Sequence, residues 1–246
     1  MSHSFGFSRT AILAMLMTLA GLAWSQLPKK SVDSPDTDSK SAQLAAENAQ
    51  YRVSRLPLPG GSTTKLVQHG HDVVIVLLGE GPAELKFPNS THSVNLKDGD
   101  ARFLESGVNP GLANDGDVSL QAVVIELKQH WEAEVRSCAE PAKCTRPISA
   151  EGSEIGETTS LFTNGFIMGY RHHLVAGATL TSSYFSSKGK DHLLLIPLAD
   201  LKANFDGTSE ELKRGQVYPS EATEIEVTAG EHAVSWIVIR VQTPKT

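Results

Sequence analysis

Cysteine is scarce: Cys138 and Cys144 are the two in a chain of 246 residues. Their C-x5-C spacing does not suit a C-x-x-C redox or metal motif. A basic excess is also missing. The formal charge is -6 and the sequence pI is about 5.8, which argues against a nucleic-acid binder. The three tryptophans, Trp24, Trp131 and Trp236, are too scattered for a carbohydrate-stacking platform. No G-x-S-x-G elbow, P-loop or dinucleotide fingerprint occurs, so nucleophilic and nucleotide chemistry have no anchor. GEGPAE (residues 79–84) follows an apolar run but lacks a third glycine. Helical periodicity of ten residues or more is rare. After Trp24 no segment approaches membrane-spanning length.

What is present begins with a leader. Arg9 precedes the apolar run AILAMLMTLAGLAW (residues 11–24), and Ala23 and Ser25 are small. We expect a signal peptide over residues 1–25, cut after Ser25, which places the mature protein in the periplasm or outside the cell, off the membrane. The alternative is an uncleaved anchor. Residues 26–46 are rich in Ser, Asp and Lys and read as a flexible tether. In an exported chain the two cysteines most simply form one disulfide, stabilising by about 2–3 kcal/mol. A metal or redox pair is the other reading.

From Glu47 the chain runs in short apolar stretches between Gly, Pro and Asn. Residues 51–58, 73–78, 83–87, 101–104 and 120–127 read as strands of an all-β protein. The second half then repeats the first. NAQYRVSRLPLPGGST, from Asn48, matches NGFIMGYRHHLVAGAT, from Asn164, at an offset of 116, and LKDG (96–99) matches LKRG (212–215) at the same offset. The closing runs AVVIELK, from Ala122, and WIVIRVQ, from Trp236, align with a slip of two. Two copies of one β unit suit tandem barrels.

The first copy resembles a cupin. GDARFLESGVNPGLAN keeps Gly99, Gly107 and Asn114 at the spacing of the family's second motif, with Glu105 in its Pro slot and Pro110 in its His slot. Gly61, His69 and His71 follow the first motif with two extra residues, and its Glu slot falls on Ile75 or Val76. Metal-binding cupins use the two His, the Glu and the last His as ligands. The resemblance therefore implies two tandem cupin-like double-stranded β-helix (jelly-roll) barrels with a degenerate metal site. His-x-His places both imidazoles on one face of a strand. Two imidazoles alone are a poor site for a catalytic divalent ion.

In the second copy His69 and His71 fall on Phe185 and Ser187, or on Lys188 and Lys190 if an insertion precedes them. That copy looks shortened. His172 and His173 are adjacent, so one of them faces inward.

We thus expect a barrel at 47–128, a linker with a disulfide loop of Cys138 and Cys144 at 129–159, and a second, degenerate barrel at 160–246. The expected function is a non-catalytic small-ligand-binding or structural module without a cofactor, with His69, His71 and Glu105 lining a pocket in the first barrel. The alternative is a metal-dependent oxygenase or isomerase with a divalent transition metal on His69, His71 and a third ligand such as Glu105. A small molecule and a second copy of the chain are the expected partners.

Overall fold

A computed structural model of the chain describes residues 42–66, 70–88, 90–129, 134–138, 141–150, 152–164, 166–183 and 191–242. The expected leader, the expected tether up to residue 41 and His69 lie outside them. Among the described residues no helix is long and apolar enough to cross a membrane.

The first half folds into β1 (Gln43–Glu47), β2 (Tyr51–Leu58), β3 (Ser62–Lys65), β4 (Asp72–Leu78), β5 (Ala83–Lys86), β6 (Ser93–Leu96), β7 (Ala101–Leu104), β8 (Gly111–Asn114) and β9 (Leu120–Leu127). They form two antiparallel sheets, β1-β2-β9-β4-β7 and β3-β8-β5-β6. A connecting stretch carries β10 (Arg136–Ser137), one helical turn α1 (Pro141–Cys144) and β11 (Thr145–Ala150). The second half comprises β12 (Ser153–Thr163), β13 (Ile167–Leu174), β14 (Thr179–Ser183), β15 (Asp191–Pro197), β16 (Leu201–Phe205), β17 (Thr208–Leu212), β18 (Tyr218–Ser220), β19 (Glu224–Thr228) and β20 (Val234–Gln242). Its sheets are β10-β12-β13-β20-β15-β18, with β11 on β12, and β14-β19-β16-β17.

β13 to β20 repeat β2 to β9 strand for strand, so the second barrel is not shortened. The repeat has physical causes. Asn48 Oδ1 accepts the N–H groups of Gln50 and Tyr51 at 2.8 and 2.9 Å. Asn164 Oδ1 accepts those of Phe166 and Ile167 at 3.0 and 2.9 Å. Each Asn thus makes the turn that starts the long strand. The strand-pair register carries the slip: Leu58 lies opposite Leu120, and Leu174 opposite Val234. Two stretches differ from expectation. Gln43 to Glu47 pair with β2, so the tether ends earlier than residue 46. Ser153 to Thr159 belong to β12, so the second barrel's large sheet reaches into the stretch read as a linker.

β4 is DVVIVLL and is buried throughout. An antiparallel strand with one wet face alternates; an unbroken apolar run means both faces are covered. Val73, Ile75 and Leu77 pack in the lumen of the first barrel. Val74, Val76 and Leu78 face outward into a shared core with Phe162, Ile167, Leu194, Ile196, Ile237 and Ile239 of the second half. The two large sheets therefore pack back to back. The contact follows a pseudo-twofold: a Cβ on Gly99 would meet Leu198 Cδ1 at 2.5 Å, and one on Gly215 would meet Leu78 Cδ1 at 3.3 Å. Arg214 Nη2 reaches Asp98 Oδ2 at 2.9 Å across the same seam.

Candidate functional site

The lumen of the first barrel is an apolar core. Leu56, Leu58, Ile75, Leu77, Leu85, Leu96, Leu112 and Ala122 are at most 1% exposed and belong to one cluster. Ile75, in the slot of the metal-binding carboxylate, is the lumen residue; Val76 points to the other barrel. Pro110, in the slot of the last histidine, is buried, and its carbonyl accepts the N–H of Leu66 at 2.9 Å. His71 stands two residues before Val73, on the same face by alternation, and is half-buried. Glu105 follows β7 and is exposed. The neighbouring Ser106 N–H donates to Asp72 Oδ1 at 2.8 Å. Ile75 and Pro110 offer no donor, so these residues do not fit the metal of the metal-binding cupins. Among the described residues no three His, Cys, Asp or Glu side chains gather as an ion would require.

The second barrel buries an apolar core of its own, with Leu174, Leu193, Leu195 and Leu212 at 0% exposed, but a polar row runs up to it. Four neighbouring strands bring Arg146, Thr158, His172 and Trp236 into one row, each opposite the next. His172, not His173, is the inward imidazole. It is 6% exposed and stacks on Trp236 with centroids 5.1 Å apart. Its Nδ1 lies 2.9 Å from Thr158 Oγ1. Burial lowers its pKa to about 4, so the ring is neutral at pH 7. Trp236 Nε1 is buried and has no hydrogen-bond acceptor among the described residues. In the first barrel the positions of His172 and Trp236 hold Leu56 and Ala122.

Further along the same face Asp191 and Arg240 form an ion pair. Arg240 Nε donates to Asp191 Oδ2 at 2.7 Å, and Nη2 touches the same oxygen. Ile75 lies opposite Val124 and Leu195 opposite Val238, so the register places Asp191 where the first barrel has His71. It is neither Ser187 nor Lys190. The carboxylate is 2% exposed and closed off by its guanidinium. Period-two reading from Trp236 along WIVIRVQ reaches Arg240, a signal available in the sequence.

A cavity of about 460 Å³ opens at the outer end of the polar row. Among the described residues it is lined by Lys143, Cys144, Arg146, Thr158, Ser160 and Tyr170. Cys144 is bonded to Cys138, and the Cys138 N–H donates to Leu161 O at 2.9 Å. The disulfide read from the sequence thus fastens α1 beside β12 and fixes one wall. On the opposite face of the sheet, His173 Nδ1 lies 2.9 Å from Ser235 Oγ in a second cavity that also includes Asp98, Glu157 and Arg171.

No protein-family model and no curated protein matches the sequence. Solved structures do resemble it. A cupin 2 conserved barrel domain protein from Leptotrichia buccalis has a TM-score of 0.52 at 13% identity, over 81% of this chain and 88% of that one. A salicylate 1,2-dioxygenase from Pseudaminobacter salicylatoxidans has a TM-score of 0.56 at 10% identity, over 93% and 82%. The vicilin of Solanum melongena has a TM-score of 0.54 at 12% identity, over 78% and 74%. At such identities the likeness is one of architecture, shared by a named dioxygenase and by a protein whose name carries no reaction. The resemblance read from Gly99, Gly107 and Asn114 holds at that level: the chain has the fold of the cupin proteins, with two barrels in one polypeptide.

Proposed function

We propose that this is an exported, non-catalytic small-molecule-binding protein, and that its binding face lies on the second barrel. One contrast supports the reading. The first lumen closes on leucines; the second barrel also buries leucines but carries a row from buried His172 through Thr158 to Arg146, the last two of which line a cavity of about 460 Å³. Small-molecule sites fall in the range of about 300–1,000 Å³. The expectation that His69, His71 and Glu105 line the working pocket moves to second place: Ile75 and the leucines below it leave a ligand little room there. Export is supported by the leader. A homodimer, also expected, must form elsewhere than through the large sheets, whose outer faces are taken by the other half of the same chain. The edge strand β17 carries Glu210 and Glu211, charges that oppose strand-to-strand pairing.

The test is a fragment library screened against the mature chain by ligand-observed NMR. The reading predicts fragments that saturate one site and are lost in Ser160→Leu, which fills the cavity without changing the circular dichroism. Fragments consumed with turnover contradict it and restore the metal-dependent enzyme; fragments indifferent to Ser160→Leu and lost in His71→Ala contradict it and return the pocket to the first barrel.

A further inference from the structure

We propose that the cavity beside α1 takes a small organic anion, a carboxylate or a phosphate monoester, held by Arg146 and by the hydroxyls of Thr158 and Ser160, beside the ring of Tyr170, whose O–H donates to Met168 Sδ at 3.4 Å. The proposal rests on the binding-protein reading above and adds the ligand's chemical class.

The charge is the first reason. Among the described residues the lining has two cations, Lys143 and Arg146, and no acid. This occurs in a chain of net charge -6. Arg146 is exposed and has no acidic partner among the described residues. Two other cavities differ in this respect. In one, Lys213 is met by Asp200 at 3.1 Å and by Glu211 at 3.7 Å. In the other, Arg171 lies 4.0 Å from Asp100, and the lining Asp98 is met by Arg214. There the cations answer to the protein's own carboxylates; Arg146 is left for a ligand.

Donor geometry is the second reason. Arg146 and Thr158 are directly opposite on β11 and β12, and Ser160 and Tyr170 on β12 and β13, so the four side chains share one face in adjacent rows. Behind Thr158 stands His172, whose Nδ1 is within hydrogen-bond distance of the Thr158 hydroxyl. This hydrogen bond between the buried ring and the Thr158 hydroxyl fixes where that hydroxyl sits at the cavity wall. A guanidinium fork with hydroxyls beside it suits a carboxylate or a phosphate.

Titration calorimetry of the mature chain at low salt, with benzoate, phenyl phosphate, benzamide and benzylamine as probes, tests this. Benzoate or phenyl phosphate should bind, and which of the two binds tighter separates the carboxylate from the phosphate. Benzamide and benzylamine should bind weaker by about tenfold or more, the size of one charge-assisted hydrogen bond. Arg146→Gln, a surface change, should weaken the anion by a similar factor and flatten its salt dependence. Equal binding of benzamide, or an anion affinity unchanged in Arg146→Gln, overturns the inference and leaves the binding reading standing. A cavity that binds neither these probes nor any fragment overturns both.

Discussion

At the scale of single residues, His172 is the most consequential side chain in the second lumen. Buried against Trp236, it resists protonation, with a pKa near 4 in place of 6.5. Below pH 6.5 the unfolded chain takes up this proton and the folded chain does not. Stability linked to His172 is therefore complete above pH 6.5 and is lost as pH falls toward 4. The loss amounts to about 3 kcal/mol at most. Denaturant unfolding of the wild type and of His172→Leu, which copies Leu56 of the first barrel, should show a shallower fall between pH 7 and 4 in the variant. Parallel slopes would refute the assignment. The seam gives a second residue-scale prediction. Gly99 and Gly215 both have positive φ, 75° and 72°, so alanine costs each roughly 1–2 kcal/mol of backbone strain. At Gly99 the added Cβ also falls 2.5 Å from Leu198. Thermal melts should therefore rank Gly99→Ala below Gly215→Ala; the reverse order would contradict the pseudo-twofold packing.

At the scale of elements, α1 and its disulfide brace the cavity. Cys138 and Cys144 are six residues apart, so the bond closes a short loop worth about 2 kcal/mol in the chain-entropy model. Its larger effect should be on binding. The Cys138→Ser, Cys144→Ser double variant should stay folded, since both barrels bury their own cores, and should bind cavity fragments more weakly. Unchanged affinity would show that the disulfide wall is not part of the site. Legibility in the sequence also divides by element. The long strands are plain, because a short apolar run such as VVIVLL, rich in Val and Ile and ended by Gly79, suits a strand covered on both faces. The repeat was plain because Asn48 and Asn164 build the same turn. The short strands β3, β6 and β8, of four residues each, carry no period to read. The working face was harder. HxH points to the first barrel, but the leucines that close its lumen come from seven strands, and no local pattern announces their meeting. The row of Arg146, Thr158, His172 and Trp236 is likewise set by register across four strands, with members up to ninety residues apart.

At the scale of the whole molecule, the two barrels share one buried core. Val53, Val74, Val76, Ile125, Ile196, Ile237 and Ile239 are each 0% exposed within it. Each such side chain contributes about 1.5–3 kcal/mol on leaving water. Neither half keeps that contribution alone. Calorimetry should therefore show one unfolding transition with matching calorimetric and van't Hoff enthalpies; two resolved transitions would mean that the seam is weak. In the first barrel the family's remaining ligand slots hold Ile75 and Pro110, so the HxH motif lacks the partners that a catalytic metal needs. Metal analysis after the mature chain is equilibrated with Fe(II), Mn(II), Ni(II) and Zn(II) and then desalted tests that most directly. Substoichiometric metal, the same in wild type and in His71→Ala, is the predicted result; a full equivalent that His71→Ala abolishes would contradict it.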